Sequence, residues 1–145
     1  MSDFDMKHIR EYNYLFGEIE ATYHESSVRL GISDSVSKIL YAICSNGDCY
    51  PLQEICRTTG LSKQTVNSAI RKLENDGIVY LQAIDRKAKR VYLTEKGKQF
   101  AEKTVMRLMK IENDIYSSWS KEDLQRYLQL TEQFLIALRE NIKEL

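Results

Sequence analysis

Residues 52–97 read LQEICRTTGLSKQTVNSAIRKLENDGIVYLQAIDRKAKRVYLTEKG, and this stretch decides the fold. Gly60 followed by Ser62 suits the end of one helix and the cap of the next, which predicts two helices joined by a tight turn. Residues 78–84 and 90–93 have the β-branched and aromatic composition of strands, and a basic loop separates them. The order of elements therefore predicts a helix-turn-helix followed by a two-stranded β-hairpin wing.

The second helix of this pair has two chemically different faces. Its apolar positions recur at the spacing of a buried helix face, and they are Val66, Ala69, Ile70 and Leu73. The opposite face is entirely polar and consists of Gln64, Ser68, Arg71 and Asn75, with Asn67 at its flank. An ordinary surface helix also has a polar face, so the pattern alone does not identify a partner.

The charge distribution favours a DNA-binding role. Residues 57–98 carry ten Lys or Arg against four Asp or Glu, a net charge of +6 in a chain whose total is zero. A helix that fits the major groove and carries such charge is typical of proteins that bind double-stranded DNA. The candidate contacts on the helix are Ser62, Lys63, Gln64, Thr65, Asn67, Ser68 and Arg71. The candidate contacts in the wing are Arg86, Lys87, Lys89 and Arg90, although a solvated hairpin tip is the simpler interpretation of a basic loop.

Long helices are predicted on both sides of this segment. An apolar stripe along residues 5–29 comprises Ile9, Tyr12, Phe16, Ile19 and Tyr23. Pro51 fits the first position of the helix that opens the helix-turn-helix. Thr94 is expected to cap a helix that runs to about residue 117. Residues at alternating intervals of four and three then form a coiled-coil-like seam up to the last residue. The members of this seam are Leu124, Leu128, Thr131, Leu135, Leu138, Ile142 and Leu145.

Composition argues against several other classes of protein. The 145 residues hold no apolar run of the ~20 residues that cross a membrane, and the N-terminal segment MSDFDMKHIR lacks a signal-peptide core. We therefore expect a cytoplasmic protein that does not bind membranes. Cys44 and Cys56 fall on inward faces, so Cys49 is the candidate redox-reactive thiol. No metal motif, cofactor motif or nucleophile–base pair is present, which predicts that the protein is not an enzyme.

The segment GLSKQTVNSAIRKLENDGIV, residues 60–79, resembles the recognition helix and first wing strand of the MarR family of bacterial transcription regulators. Asp85, Val91 and the run Leu93-Thr94-Glu95-Lys96-Gly97 resemble the wing signature of that family. Lys87 stands where the family usually has Arg. An ammonium group does not reproduce the flat guanidinium, so the resemblance leaves open which cation would enter a minor groove.

The resemblance implies a mainly α, winged helix-turn-helix fold flanked by long N- and C-terminal dimerisation helices. Residues 1–32 and 94–145 would form the helical dimerisation region, and residues 33–93 the winged-helix DNA-binding domain. The sequence supports a homodimer independently, because a winged helix of some sixty residues offers too little surface to cover both flanking helices. Two copies would present two recognition helices to a pseudo-palindromic operator.

The resemblance also implies repression that a small, often aromatic, effector relieves. The candidate pocket residues are Tyr12, Phe16, Ile19, Tyr23 and Tyr41, although aromatic residues at helical spacing are more often core. The alternative function is a winged-helix adaptor that binds proteins and not DNA. A neutral or acidic recognition face would favour the adaptor, and the +6 segment argues against it.

Overall fold

The computed structural model describes residues 2–145, apart from the side chains of residues 3 and 4. In this part of the chain, helices dominate and three short strands form one sheet. The elements are α1 (Asp3–Leu30), α2 (Asp34–Cys44), β1 (Cys49–Pro51), α3 (Leu52–Thr59), α4 (Lys63–Asn75), β2 (Val79–Ala83), β3 (Lys89–Leu93), α5 (Glu95–Lys103), α6 (Val105–Ser117), α7 (Lys121–Asn141) and a 3₁₀ turn (Ile142–Glu144). The predicted winged helix-turn-helix with long helices on both sides is confirmed.

Hydroxyl side chains set where the helices of the winged helix begin. Ser33 Oγ accepts a hydrogen bond from Val36 N at the start of α2, and Ser62 Oγ accepts one from Thr65 N at the start of α4. Each bond satisfies one of the amides that have no partner within the helix, which stabilises it by about 1 kcal/mol. Gly60 has a φ of 68°, and this left-handed conformation allows the tight turn between α3 and α4.

The wing contains a third strand that the sequence pattern does not predict. The sheet order is β1-β3-β2, and Tyr50 in β1 pairs with Val91 in β3. Pro51 was predicted as the first residue of a helix, but it ends β1 and serves as the N-cap of α3. Proline is tolerated in an edge strand. The partner strand lies some forty residues further along the chain, so no local pattern could indicate the pairing.

The core of the winged helix draws on every element from α2 to the start of α6. The largest fully buried side chains are Ile39, Leu40, Ile43, Ile55, Val66, Val91 and Val105. Each such residue contributes roughly 1.5–3 kcal/mol relative to an exposed position. The predicted inner face of α4 is confirmed, since Val66, Ala69, Ile70 and Leu73 are all buried. The core therefore fixes which face of α4 points outward.

One long helix after the wing was predicted, and the structure contradicts this. Thr104 interrupts the helix with a φ of −123° and a ψ of −100°, so α5 and α6 are separate. Thr104 and Val105 are both buried, and Thr104 Oγ1 donates a hydrogen bond to Phe100 O at 2.7 Å. The sequence pattern places Thr104 inside the single predicted helix. The break places Thr104 and Val105 in the interior, which a local pattern cannot specify.

The chain divides into two compact units, the first ending at Leu108 and the second comprising Met109–Leu145. In the first, α1 keeps its apolar stripe exposed, with Phe16 at 48% and Ile19 at 51% of full accessibility. In the second, α7 has no buried residue. The chain alone therefore leaves large apolar helix faces uncovered in each unit.

Gly97 occupies a position where no other residue fits. A Cβ atom built there would lie 1.9 Å from the carbonyl oxygen of Ile78. The same carbonyl accepts a hydrogen bond from Thr94 N at 3.0 Å, so it cannot move away without breaking the contact between the residue before β2 and the N-cap of α5. The glycine allows α5 to pack directly on the strand that follows α4.

We predict that Gly97→Ala lowers the free energy of unfolding by about 1–3 kcal/mol or more, because the added methyl group forces two backbone segments apart. Gly17→Ala is the matched control, since a Cβ there meets nothing within 4 Å and lies inside α1. The control should be stabilised by up to about 1 kcal/mol. Urea unfolding at equal protein concentration measures both changes. Equal stability of the two variants would contradict the packing described.

Candidate nucleic-acid interface

The predicted DNA contacts of α4 lie on its exposed side. Val66 and Ile70 hold the opposite side in the core, at 0% and 3% exposure. The exposed residues of the predicted set on this helix and its cap are Ser62, Lys63, Gln64, Thr65, Ser68 and Arg71, and Asn67 is half-buried. The first turn of α4 contains no acidic residue. The outer face therefore offers amide, hydroxyl and cationic groups and no carboxylate over its first two turns.

The N-terminal hydroxyls of α4 bond to each other. Ser62 Oγ lies 2.8 Å from Thr65 Oγ1 and 3.1 Å from Thr65 N. These contacts order the first turn of the helix, which is the end that enters the major groove in helix-turn-helix proteins. The cap thus has a structural role as well as the DNA contact predicted for it.

The tip of the wing is built around Asp85. Its Oδ1 accepts hydrogen bonds from Lys87 N at 2.8 Å and Ala88 N at 2.9 Å. These two bonds hold the pKa of the Asp85 carboxyl below its usual range. Arg86 and Lys87 are exposed at the tip. The one carboxylate of the tip is thus directed into the backbone, and the cations face outward.

Arg90 occupies a different position from the other predicted wing cations. It lies on β3 opposite Gln82, is half-buried, and its Nη1 donates to Cys49 Sγ at 3.8 Å. Lys89, by contrast, is exposed at the first position of β3. The structure thus brings Arg86, Lys87 and Lys89 together near the tip, and directs the guanidinium of Arg90 toward β1.

The three cysteines differ in their surroundings. Burial raises the pKa of the Cys44 thiol to about 11, which keeps it protonated near neutral pH. Cys56 packs against the hydrophobic core, as predicted for both inward cysteines. Cys49 is half-buried in β1 beside Arg90. Its redox reactivity stays a prediction.

A groove that the sequence pattern did not reveal runs between α2 and α4. It has a volume of about 390 Å³. Its lining comprises Ser33, Ser35, Val36, Gln64, Thr65, Ser68, Ala69 and Lys72. Ser33, Ser35 and Lys72 were not among the predicted contacts. Lys72 lies four residues after Ser68, which lies four residues after Gln64. Extending the predicted polar face of α4 by one more turn would therefore have included Lys72.

The candidate effector residues occupy two helices. Tyr12, Phe16, Ile19 and Tyr23 are exposed along α1, and the rings of Tyr12 and Phe16 stack with centroids 5.9 Å apart. Tyr41 is half-buried on α2. The four residues of α1 form one continuous aromatic and aliphatic stripe.

None of the helices in residues 2–145 combines the length and the apolar character needed to cross a lipid bilayer. Within the same residues, no three His, Cys, Asp or Glu side chains are grouped so that they could hold a metal ion.

Comparison with known proteins shows which family this winged helix resembles. The MarR family model matches residues 30–90, which span the helix-turn-helix and most of the wing. The resemblance to the MarR family is confirmed. No curated protein matches the chain.

Solved structures of MarR regulators share the fold over nearly the whole chain. NMB1585, a MarR family regulator from Neisseria meningitidis, is 18% identical with a TM-score of 0.81, and the match covers 99% of each chain. MepR from S. aureus, solved as a DNA complex, is 18% identical with a TM-score of 0.66 over 89% of this chain and 96% of its own. NadR, solved with 4-hydroxyphenylacetate, is 15% identical with a TM-score of 0.67 over 92% and 93%.

We predict that Asp85→Ala loosens the wing tip, because it removes the acceptor for the amides of Lys87 and Ala88. Amide exchange of these two residues, measured by NMR against intrinsic rates, should lose protection. Asp85→Asn is the matched control, since its amide oxygen can still accept both bonds.

The stability of the wing tip depends on pH in a definite direction. Because the folded pKa of Asp85 is lowered, the carboxylate stabilises the tip above the ordinary pKa of about 3.9. That contribution disappears as pH falls through the lowered value. An Asp85 carboxyl that titrates at or above its ordinary pKa would contradict the geometry of the tip.

Proposed function

We propose that the protein is a homodimeric, sequence-specific, DNA-binding transcriptional regulator that acts as a repressor and is released by a small molecule. The observation that carries the DNA-binding role is the exposed side of α4, with Gln64, Ser68 and Arg71 facing solvent beside a wing that bears exposed cations. Polar side chains that protrude from a helix of groove size can read base edges. The relation to MarR regulators, one of them solved with DNA, supports the same function.

The wing would supply the sequence-independent part of the affinity. Arg86, Lys87 and Lys89 are exposed, and Asp85 is engaged by backbone amides, so the tip presents positive charge. Such a tip fits phosphates or the narrow minor groove, where negative potential is concentrated. Arg90 is half-buried, and we assign it a supporting role in the sheet in addition to its charge.

A homodimer is proposed because the chain alone leaves its long helices uncovered. Tyr12 and Phe16 of α1 are 50% and 48% exposed, and Leu128 of α7 is 57% exposed. Apolar stripes of this length gain about 25 cal/mol for each Å² removed from water. A second copy supplies a matching surface, and its two-fold symmetry would set two recognition helices on a pseudo-palindromic operator.

We also propose a small aromatic effector. The stacked rings of Tyr12 and Phe16, with Ile19 and Tyr23 beyond them, form a surface that suits a planar ligand. NadR, solved with 4-hydroxyphenylacetate, supports this class of compound. A ligand that binds only one packing of the dimer lowers the affinity of the protein for DNA. Bound DNA then lowers the affinity of the protein for the ligand by the same factor.

The adaptor remains the second candidate function, and DNA binding distinguishes the two. An operator would first be selected from a random DNA pool. Arg71→Ala and Gln64→Ala should each weaken binding to that operator by about 1–3 kcal/mol, with little effect on random DNA, because base contacts are lost. Fluorescence anisotropy measures both affinities. Arg139→Ala, in the last turn of α7, is the control.

Equal losses on operator and random DNA would reassign Arg71 and Gln64 to backbone contacts. Failure of the wild-type protein to bind any duplex would reject the regulator and favour the adaptor.

The dimer is tested separately. Sedimentation of the wild-type protein at micromolar concentration should give about twice the chain mass of 16.9 kDa. Leu128→Glu should shift the protein toward monomer, because it buries a charge in the proposed interface. Gln129→Glu adds the same charge to a neighbouring exposed polar position and should leave the mass unchanged. A monomeric wild-type protein would reject the dimer.

A further inference from the structure

We infer that the groove between α2 and α4, defined by Ser33, Ser35, Thr65 and Lys72, is a seat for a phosphate of the DNA backbone. The inference rests on the proposed DNA-binding function and adds contacts on the flank of α4 opposite Asn67. It assigns to Lys72 and Ser35 the role of positioning residues, which orient the base-reading face without reading bases.

The position of the groove follows from the geometry of α4. Gln64 and Arg71 point away from the core, whereas Lys72 lies about a quarter turn around the helix from Gln64, toward α2. A helix with its side chains is about 10–12 Å wide, and the major groove is about 12 Å wide. A helix inserted there brings its flanks against the two backbone walls. The flank with Thr65 and Lys72 therefore meets phosphates, not base edges.

The chemistry of the lining suits an anion. The polar groups of the groove are the hydroxyls of Ser33, Ser35, Thr65 and Ser68, the amide of Gln64 and the ammonium of Lys72. Carboxylates are absent from the lining, and Lys72 makes no ion pair among the described residues. Hydroxyl donors with one lysine are a common way to hold a phosphate oxygen.

The carboxylate next to the groove in the sequence is directed elsewhere. Asp34 lies between Ser33 and Ser35, yet its Oδ2 is 2.7 Å from His24 Nδ1 on α1. The hydrogen bond from His24, and then that from Ser27, holds the pKa of Asp34 below its usual range, so it stays ionised and bound to α1. Asp34 is not part of the lining. The lining of the groove thus contains no acid, although Asp34 lies between two of its residues in the sequence.

Two substitutions test the seat in the intact chain. Lys72→Gln should make the slope of log affinity against log salt shallower by about 0.9 for each protomer, or about 1.8 for a dimer. Between 50 and 200 mM salt the variant should then lose about 12-fold less affinity than the wild type. The change should be the same on operator and random duplex, which separates a phosphate contact from a base contact. Lys110→Gln, which removes a lysine paired with Asp114, is the matched control.

Ser35→Asp separates loss of binding from loss of folding. An acid in the first turn of α2 is favourable to the helix, so thermal stability should be maintained. A negative charge beside the phosphate should nevertheless reduce the affinity for both duplexes by about tenfold or more.

The outcomes distinguish the seat from the function on which it rests. A wild-type protein that binds no duplex rejects both. A wild-type protein that binds with a steep salt slope, together with wild-type slopes and affinities for Lys72→Gln and Ser35→Asp, rejects the seat alone. A Lys72→Gln variant that loses affinity only for the operator would also overturn the assignment, because Lys72 would then read a base.

Discussion

The hydroxyl of Thr94 lies at the junction on which the winged helix depends. Thr94 Oγ1 donates to Gly77 O at 2.5 Å and accepts from Gly97 N at 2.9 Å, so it links the turn after α4 to the start of α5. Lys96 Nζ adds a bond to Asp76 O at 2.7 Å. The close approach is available only because Gly97 has no side chain. These bonds tie the turn that ends α4 to Thr94, at the end of β3, and to the first turn of α5.

The long helices contrast with this core, and the contrast supports the proposed homodimer. Within the winged helix, residues such as Ile43 and Val91 are completely buried, and their burial orients every surrounding element. Along α7 no residue is buried, although the helix has 21 residues. Helices in water gain most of their stability from packing an apolar face. The packing that α7 lacks within the chain is what the proposed dimer would provide.

The positive charge of the proposed DNA-binding surface depends on where its acids are directed as well as on its lysines and arginines. Asp85 is bound by two backbone amides at the wing tip, and Asp34 by His24. Each acid is adjacent in sequence to a group proposed to contact DNA, Arg86 in one case and Ser35 in the other. Net charge alone would count these carboxylates against DNA binding. Their hydrogen bonds show that both serve the fold and leave the cations exposed.

The sequence by itself determined the helix-turn-helix, the caps at Ser62 and Thr94, and the inner face of α4, because these follow from local hydrogen bonding and helical periodicity. It also indicated the wing and its cations. Only the tertiary structure decided that β1 completes the sheet, that Thr104 breaks the helix, and that Lys72 and Ser35 share a groove. Each of these features depends on contacts between residues that are distant in the chain. The periodicity of a sequence does not indicate which distant segments come into contact.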